Sequence, residues 1–219
     1  MINVVFEGPT GAGKTTIINK LEKIYNKRYK VGRTNDIDES SPLYKTIKDM
    51  FDKNPLVSLN NNFSTLRYET LIQAADYLYL REKIYAENND INLFDRNYSS
   101  VYSYQYVLLK GNIEKCDEFM DNVLSCMKSG EKGIDLMVFF DTDMDVALKR
   151  SELRDKRKYN KFEKQTFKQF NKKLKDFLRY NNSEYNLIVI ENDDSVDDAI
   201  KKITSKLDEI IEDKKKIRR

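Results

Sequence analysis

"GPTGAGKTT", residues 8–16, directly follows the apolar, β-branched run "INVVFE" at residues 2–7. A short continuous apolar run of this kind reads as a strand buried on both faces. The residues after it, Gly8-x-x-x-x-Gly13-Lys14-Thr15, fit the pattern of a phosphate-binding loop. Gly8, Gly11 and Gly13 let the backbone curl through Thr10 and Ala12 until several N–H groups point at one anion. The helix that begins near Thr15 turns its N-terminus toward the same point. Lys14 supplies a mobile point charge for β and γ phosphates, and the Thr15 hydroxyl, followed by Thr16, is placed to ligate Mg²⁺. The stretch specifies a nucleoside triphosphate without saying what is done with it.

The rest of the chain bounds the answer. Its 219 residues suit a single domain with one sizeable core, so we read 1–219 as one unit. No apolar run approaches roughly 18 residues and the N-terminus enters a strand directly, so neither a membrane span nor a signal peptide is expected. Cys116 and Cys126 lie ten apart on a predicted helix, on different turns, which suggests neither a disulfide nor a zinc site. The expected compartment is the cytoplasm. A net charge of +3 gives no global nucleic-acid signature, although basic residues cluster at 149–161 and in the tail "KKKIRR". The chain has no histidine, so any proton acceptor must be Asp, Glu, Lys, Tyr or Cys.

Strands alternate with helices along the whole length. Strands are expected at 2–7, 29–33, 91–95, 135–141 and 185–191. Helices are expected at 15–27, 42–51, 63–87, 98–109, 113–127, 143–153 and about 162–180, with a last one starting at "DDSVDDAI". In the first helix Ile17, Ile18, Leu21 and Ile24 have inward spacing. In the long one Leu71, Ala74, Ala75, Leu78 and Tyr79 are expected inward. Such alternation implies crossover connections and an α/β three-layer sandwich, with about five parallel strands covered by helices on both faces. Ligands of such sheets bind beyond the carboxyl ends of the strands. A second motif sits at such an end: "NLFDRNYSSVYSYQ", in which a strand closes on Asp95 and Arg96 follows. There a carboxylate faces the phosphate loop and can hold Mg²⁺, while Arg96 points at a transferring phosphoryl group.

These residues resemble the thymidylate kinase family. Asp95-Arg96, Ser100 and Tyr104-Gln105 are similar to its signature Asp-Arg-Tyr-x-x-Ser-x-x-Ala-Tyr-Gln, departing at Asn97 and Ser103. "FEGPTGAGKTT", "SPLYKTIKDMF", "DLMVFFDTDMDVALKR" and "NKFE" (160–163) resemble further family segments in order along nearly the whole chain. The resemblance implies a P-loop kinase with a helical lid at about 150–162. It would transfer the γ-phosphoryl of ATP, with Mg²⁺, to a deoxynucleoside monophosphate, dTMP first. It makes Asp95 the metal-site carboxylate, Arg96 a donor to the phosphates, and Ser100, Tyr104 and Gln105 contacts to the nucleobase. A small-molecule nucleotide or nucleoside is the implied partner, and helix-packed homodimers are frequent in that family.

Three departures bear on the acceptor. Thr10 stands where the family commonly has an acidic or related side chain. "RTNDIDESSP" replaces Arg-Glu-Pro-Gly-Gly-Thr, leaving Arg33. Tyr77, in "QAADYLYLR", stands where an Arg would hold the acceptor's phosphate; Arg33, Arg67 and Arg81 are the available substitutes. If none serves, the acceptor carries no phosphate, as in the related deoxynucleoside kinases. In those a Gln on the long helix reads the base, for which Gln73 is available, and a carboxylate after the second strand takes the hydroxyl proton, for which Asp36 is available. Over the bound triphosphate, Arg150, Arg154 and Arg157 fall near one helical face, with Arg154 the first choice to neutralise the transferring group. A P-loop switch that holds nucleotide without transferring it is the remaining alternative.

Overall fold

The computed structural model describes residues 1–53, 63–181, 185–191 and 195–217. Its centre is a five-stranded, all-parallel sheet in the order β2-β3-β1-β4-β5. The strands are β1 (Ile2–Glu7), β2 (Val31–Thr34), β3 (Ile91–Asp95), β4 (Leu136–Asp141) and β5 (Asn186–Glu191). The helices are α1 (Lys14–Tyr25), α2 (Tyr44–Lys53), α3 (Phe63–Ala86), α4 (Tyr98–Leu109), α5 (Cys116–Ser129), α6 (Met144–Arg154), α7 (Lys161–Tyr180) and α8 (Val196–Ile217). The first residues of the predicted "DDSVDDAI" start lie outside the described residues, as do 218 and 219 of the tail. Among the described residues no helix is long and apolar enough to cross a membrane.

Strand alternation builds the two outer layers. Val5, Phe94, Met137 and Phe139 point to the face covered by α3, α4, α5 and α7. Val4, Phe6, Leu93, Val138 and Phe140 point to the face covered by α1 and α8. All six residues of β1 are buried, which is why its sequence lacks polar alternation. Edge strand β5 is less covered: Leu187 and Val189 remain exposed.

Two predicted helix faces are corrected. On α1, Ile24 is exposed and Tyr25 is buried instead, its hydroxyl donating to Asp208 at 2.9 Å. On α3, Leu71, Ala75 and Tyr79 are exposed, Leu78 is half-buried, and only Ala74 of the expected stripe is buried. The buried face instead carries Leu66, Thr70, Ala74, Tyr77, Arg81, Ile84 and Tyr85. It is rich in polar groups because it supports and borders a cavity, so apolar periodicity pointed the wrong way.

Candidate active site

The loop between β1 and α1 takes the shape its glycines permit. Gly8, Gly11 and Gly13 have φ of 141°, 78° and 92°, values that side chains rarely tolerate. A Cβ at Gly11 would lie 2.1 Å from the Ala147 carbonyl oxygen and 3.0 Å from Ser151 Oγ, so the loop presses directly against α6. A Cβ at Gly13 would meet nothing within 4 Å, and the loop is open there. Lys14 is buried and its Nζ donates to the Gly8 and Pro9 carbonyls, both at 3.1 Å. Burial, followed by the neighbouring Arg96 charge, holds its ammonium down to about 8. Ala12 is buried in the loop, whereas Thr16 is exposed.

At the adjacent strand end, Thr15 Oγ1 donates to Asp95 Oδ2 at 3.2 Å. Asp95 Oδ1 is buried without a hydrogen-bond partner. A carboxylate oxygen left bare beside a hydroxyl and a phosphate loop fits a hard divalent cation such as Mg²⁺.

Arg96 follows with φ of 78°, an uncommon value for a side-chain-bearing residue. Its Nη1 donates to Gly8 O (3.1 Å), Ser100 Oγ (3.0 Å) and Tyr104 Oη (2.8 Å). Its Nε donates to Asp36 Oδ2 at 2.7 Å. Burial works against its charge, but Tyr104, Asp36, Glu7 and Asp95 more than offset that and hold it above its ordinary value. The turn is anchored from below by fully buried Glu7. Glu7 accepts from Asn97 N–H (2.9 Å), Ser99 Oγ (2.7 Å) and Ser100 Oγ (2.5 Å).

Beyond this turn opens a cavity of about 270 Å³. Gln73, Asp76, Tyr77, Leu80 and Arg81 of α3 line one side, at helical spacings of three and four. Ser100, Val101 and Tyr104 of α4, with Phe167 and Phe170 of α7, line another. Thr10, Asp36, Asp95, Arg96 and Arg154 border it toward the loop. Arg154 donates from Nε to Asp155 Oδ1 (2.7 Å) and from Nη2 to Thr10 Oγ1 (3.3 Å), which ties the end of α6 to the phosphate loop.

Several residues expected around the substrate lie elsewhere. Arg33 does not line the cavity; it donates to Asn19 (2.5 Å) and Glu22 (3.3 Å) of α1. Arg67 donates to the Glu114 carbonyl (3.0 Å), also away from the cavity. Gln105 is buried and accepts from Thr70 Oγ1 at 2.9 Å, clipping α4 to α3. Arg150 is exposed, and Arg157 pairs with Glu163 of α7; neither lines the cavity. Arg81 borders it but is spent internally: Nε donates to Glu131 Oε1 (2.8 Å) and Nη2 to the Arg96 carbonyl (3.2 Å). Tyr77 and Tyr85 hydroxyls also donate to Glu131. Burial pushes this carboxyl up to about 8 and the guanidinium down to about 9.

Glu7, Asp76, Asp155 and the aromatic residues Tyr159, Phe167 and Phe170 were not singled out from the sequence. Glu7 had a signal, a charge closing an otherwise apolar strand immediately before Gly8. Asp76 had one too, a carboxylate one turn after Gln73.

A phosphate loop facing an Asp-Arg turn across a nucleoside-sized cavity, on this sheet order, defines a P-loop nucleoside or nucleotide kinase fold. The family model "Thymidylate kinase" matches residues 6–203, and the chain belongs to that family of phosphotransferases. No curated protein matches the chain. Among solved structures it is similar to deoxyadenosine kinase from M. mycoides with products dCMP and a flexible dCDP bound (TM-score 0.70, 18% identity, 95% of this chain and 100% of that one). The same kinase with bound dATP matches with a TM-score of 0.68 and 16% identity over 94% of this chain and 100% of that one. With bound dCTP it matches with a TM-score of 0.66 and 17% identity over 95% and 100%. At these identities the likeness establishes the fold.

Proposed function

We propose that the protein transfers the γ-phosphoryl group of ATP to the 5′-hydroxyl of a deoxynucleoside. One observation carries this reading: of the three guanidiniums among the described residues lining the cavity, Arg96 and Arg154 border the phosphate loop and Arg81 is bound to Glu131, which leaves none for an acceptor phosphate. A nucleotide dianion needs charge-assisted donors. Arg81 is committed to Glu131, while Arg33 and Arg67 lie outside. What the cavity offers is Asp36, a half-exposed carboxylate held by Arg96.

The loop amides and Lys14 would hold the β and γ phosphates, and Gly13 leaves the space open. Thr15 and Asp95 would hold Mg²⁺, which neutralises phosphate charge when bound. Asp36 would accept the proton of the 5′-hydroxyl as its oxygen bonds to the γ-phosphorus. The β–γ bridging bond breaks, and ADP and a nucleoside monophosphate leave. Arg96 and Arg154 would neutralise charge on the transferring group from opposite sides. Closure of the lid, about 150–162, over the site would exclude water.

Family membership favours a second reading, in which dTMP is the acceptor. A phosphate oxygen is already nucleophilic and needs no base. A coupled assay of ADP formation with MgATP separates the two readings, using a panel of deoxynucleosides and their monophosphates. Turnover with free deoxynucleosides and none with monophosphates is expected. Turnover with monophosphates alone supports the second reading. If no acceptor raises ADP production above background, both readings fail and a P-loop protein that binds nucleotide without this transfer remains.

A further inference from the structure

Asp76 is buried, 6% exposed, on α3 beside the cavity, and the transfer step gives it no task. A buried carboxylate is costly unless N–H or O–H groups donate to it. The Ser41 hydroxyl does so, from 35 positions earlier in the chain. Burial pushes the Asp76 carboxyl up, and the Ser41 bond works against that. Ser41 belongs to the irregular segment between β2 and α2, which also carries Asp36. At its start this segment is fixed by the sheet, where Thr34 pairs with Phe94 of β3. In its middle, the Asp38 carboxylate accepts from the N–H groups of Asn35 (3.1 Å) and Ser40 (2.9 Å), which folds the chain back on itself. At its far end Ser41 is buried, its N–H donating to the Asp38 carbonyl (3.0 Å) and its Oγ accepting from the Leu43 N–H (3.0 Å). One end of the loop is therefore tied to β3, and the other to α3.

We propose that Asp76, acting through Ser41, is a positioning residue that aims Asp36 at the hydroxyl it deprotonates. The inference rests on the deoxynucleoside kinase reading and adds to it the group that places the base. Asp36 lies between the two ties with a half-exposed side chain, held at 2.7 Å by the Arg96 guanidinium. That guanidinium has to meet the transferring phosphoryl group as well, so it does not fix the carboxylate alone. A general base works only within hydrogen-bond reach of the proton it takes. A misplacement of about 1 Å costs about 10²-fold in rate. Loops place such groups less precisely than helices and strands unless a supporting contact locks them. Asp76 supplies that contact from a buried helix face, and its charge strengthens the bond to the hydroxyl.

The test measures kcat and KM with MgATP and a deoxynucleoside, together with amide hydrogen exchange. The proteins are wild type, Asp76→Ala, Ser41→Ala and Asp76→Asn, with each alanine variant also combined with Asp36→Asn. Ser41→Ala is the milder change and serves if Asp76→Ala does not fold. Each alanine variant should lower kcat by about 10–100-fold and leave KM for ATP within about twofold. Asp76→Asn, whose amide oxygen still accepts from Ser41, should recover most of that loss. With Asp36→Asn already present, either alanine change should cost less than about twofold, because no base remains to be aimed. Amides of residues 35–41 should exchange about tenfold faster or more in the alanine variants, with those of the phosphate loop unchanged. An unchanged kcat in a folded alanine variant overturns the inference. So does a full loss that persists with Asp36→Asn, which would place the action of Asp76 elsewhere. A raised KM for the nucleoside at unchanged kcat overturns it too, and makes Asp76 a substrate contact. No transfer to any deoxynucleoside by the wild-type protein sinks the kinase reading instead. The exchange data then decide the tie alone: faster exchange at 35–41 leaves it standing, and unchanged exchange overturns it.

Discussion

Replacing Arg81 by methionine tests the claim that this arginine is a strut and not an acceptor clamp. Methionine keeps much of the length and removes the charge. It would leave Glu131 with the Tyr77 and Tyr85 hydroxyls but no cation, at a side chain 8% exposed. Burial pushes the Glu131 carboxyl from 4.5 up to about 8. That displacement holds with Arg81 in place, and removing the guanidinium raises the carboxyl further. Breaking one half of a buried ion pair costs about 3–5 kcal/mol. The sign follows from the raised carboxyl. In the variant, protonated Glu131 contributes stability that is fully present below about pH 4.5 and, with its folded carboxyl held higher than in wild type, is lost over a wider range as pH rises past about 8. Urea unfolding of Arg81→Met should show a loss of about 3–5 kcal/mol relative to wild type near pH 8.5, and much less near pH 5. Adding Glu131→Gln should remove most of that pH dependence. A loss under about 1 kcal/mol at both pH values, or the same loss at both, would refute the reasoning.

Other outcomes follow from the same geometry. Lys14→Ala should lower kcat by about 10²–10³-fold or more, because a buried preorganised donor to the phosphates is lost, as steady-state ADP release will show. Arg154→Ala should lower kcat more than it raises KM for ATP if the guanidinium acts on the transferring group; an unchanged kcat removes it from that role. Asp36→Asn should reduce kcat with a free deoxynucleoside by about 10²–10⁴-fold while leaving ATP binding by calorimetry nearly intact. Gly11→Ala should destabilise the fold by about 2–3 kcal/mol in denaturant titration, because its Cβ would sit 2.1 Å from the Ala147 carbonyl at a φ of 78°.

How far the sequence could be read depended on whether a residue's task was local. The β1 run, the three glycines, Lys14 and Thr15 act within one strand–turn–helix unit, so spacing alone described them. Strand and helix existence was also legible, because buried parallel strands have no polar alternation to confuse with helical periodicity. The long helix α3 misled for a physical reason. Its cavity side carries Asp76 and Arg81, while Tyr68, Leu71 and Tyr79 face outward, and a reading that puts apolar residues inside inverts such a helix. The substrate residues that moved did so through partners distant in sequence. Gln105 was claimed by Thr70, 35 positions away, and Arg81 by Glu131, 50 positions away. Neither pairing has a signature in a single chain, because only the packing of α3 against α4 and α5 brings the groups together.

The same packing explains why one arginine can serve both substrates. Arg96 donates from Nη1 to the Gly8 carbonyl of the phosphate loop and from Nε to Asp36, on the acceptor side. A guanidinium is planar and its donors diverge at fixed angles, so holding one of these partners sets the direction of the other. Lysine, a point charge on a flexible stem, would satisfy either contact without relating them. The donor loop and the proposed base are therefore kept in register by a rigid fork whose backbone is itself gripped, at its carbonyl by Arg81 and at its N–H by the Phe6 carbonyl of β1. A phosphoryl group entering between them would meet a donor already aimed by Tyr104 and Ser100. Little reorganisation would then be needed at the moment of transfer, which is where preorganised charge lowers a barrier.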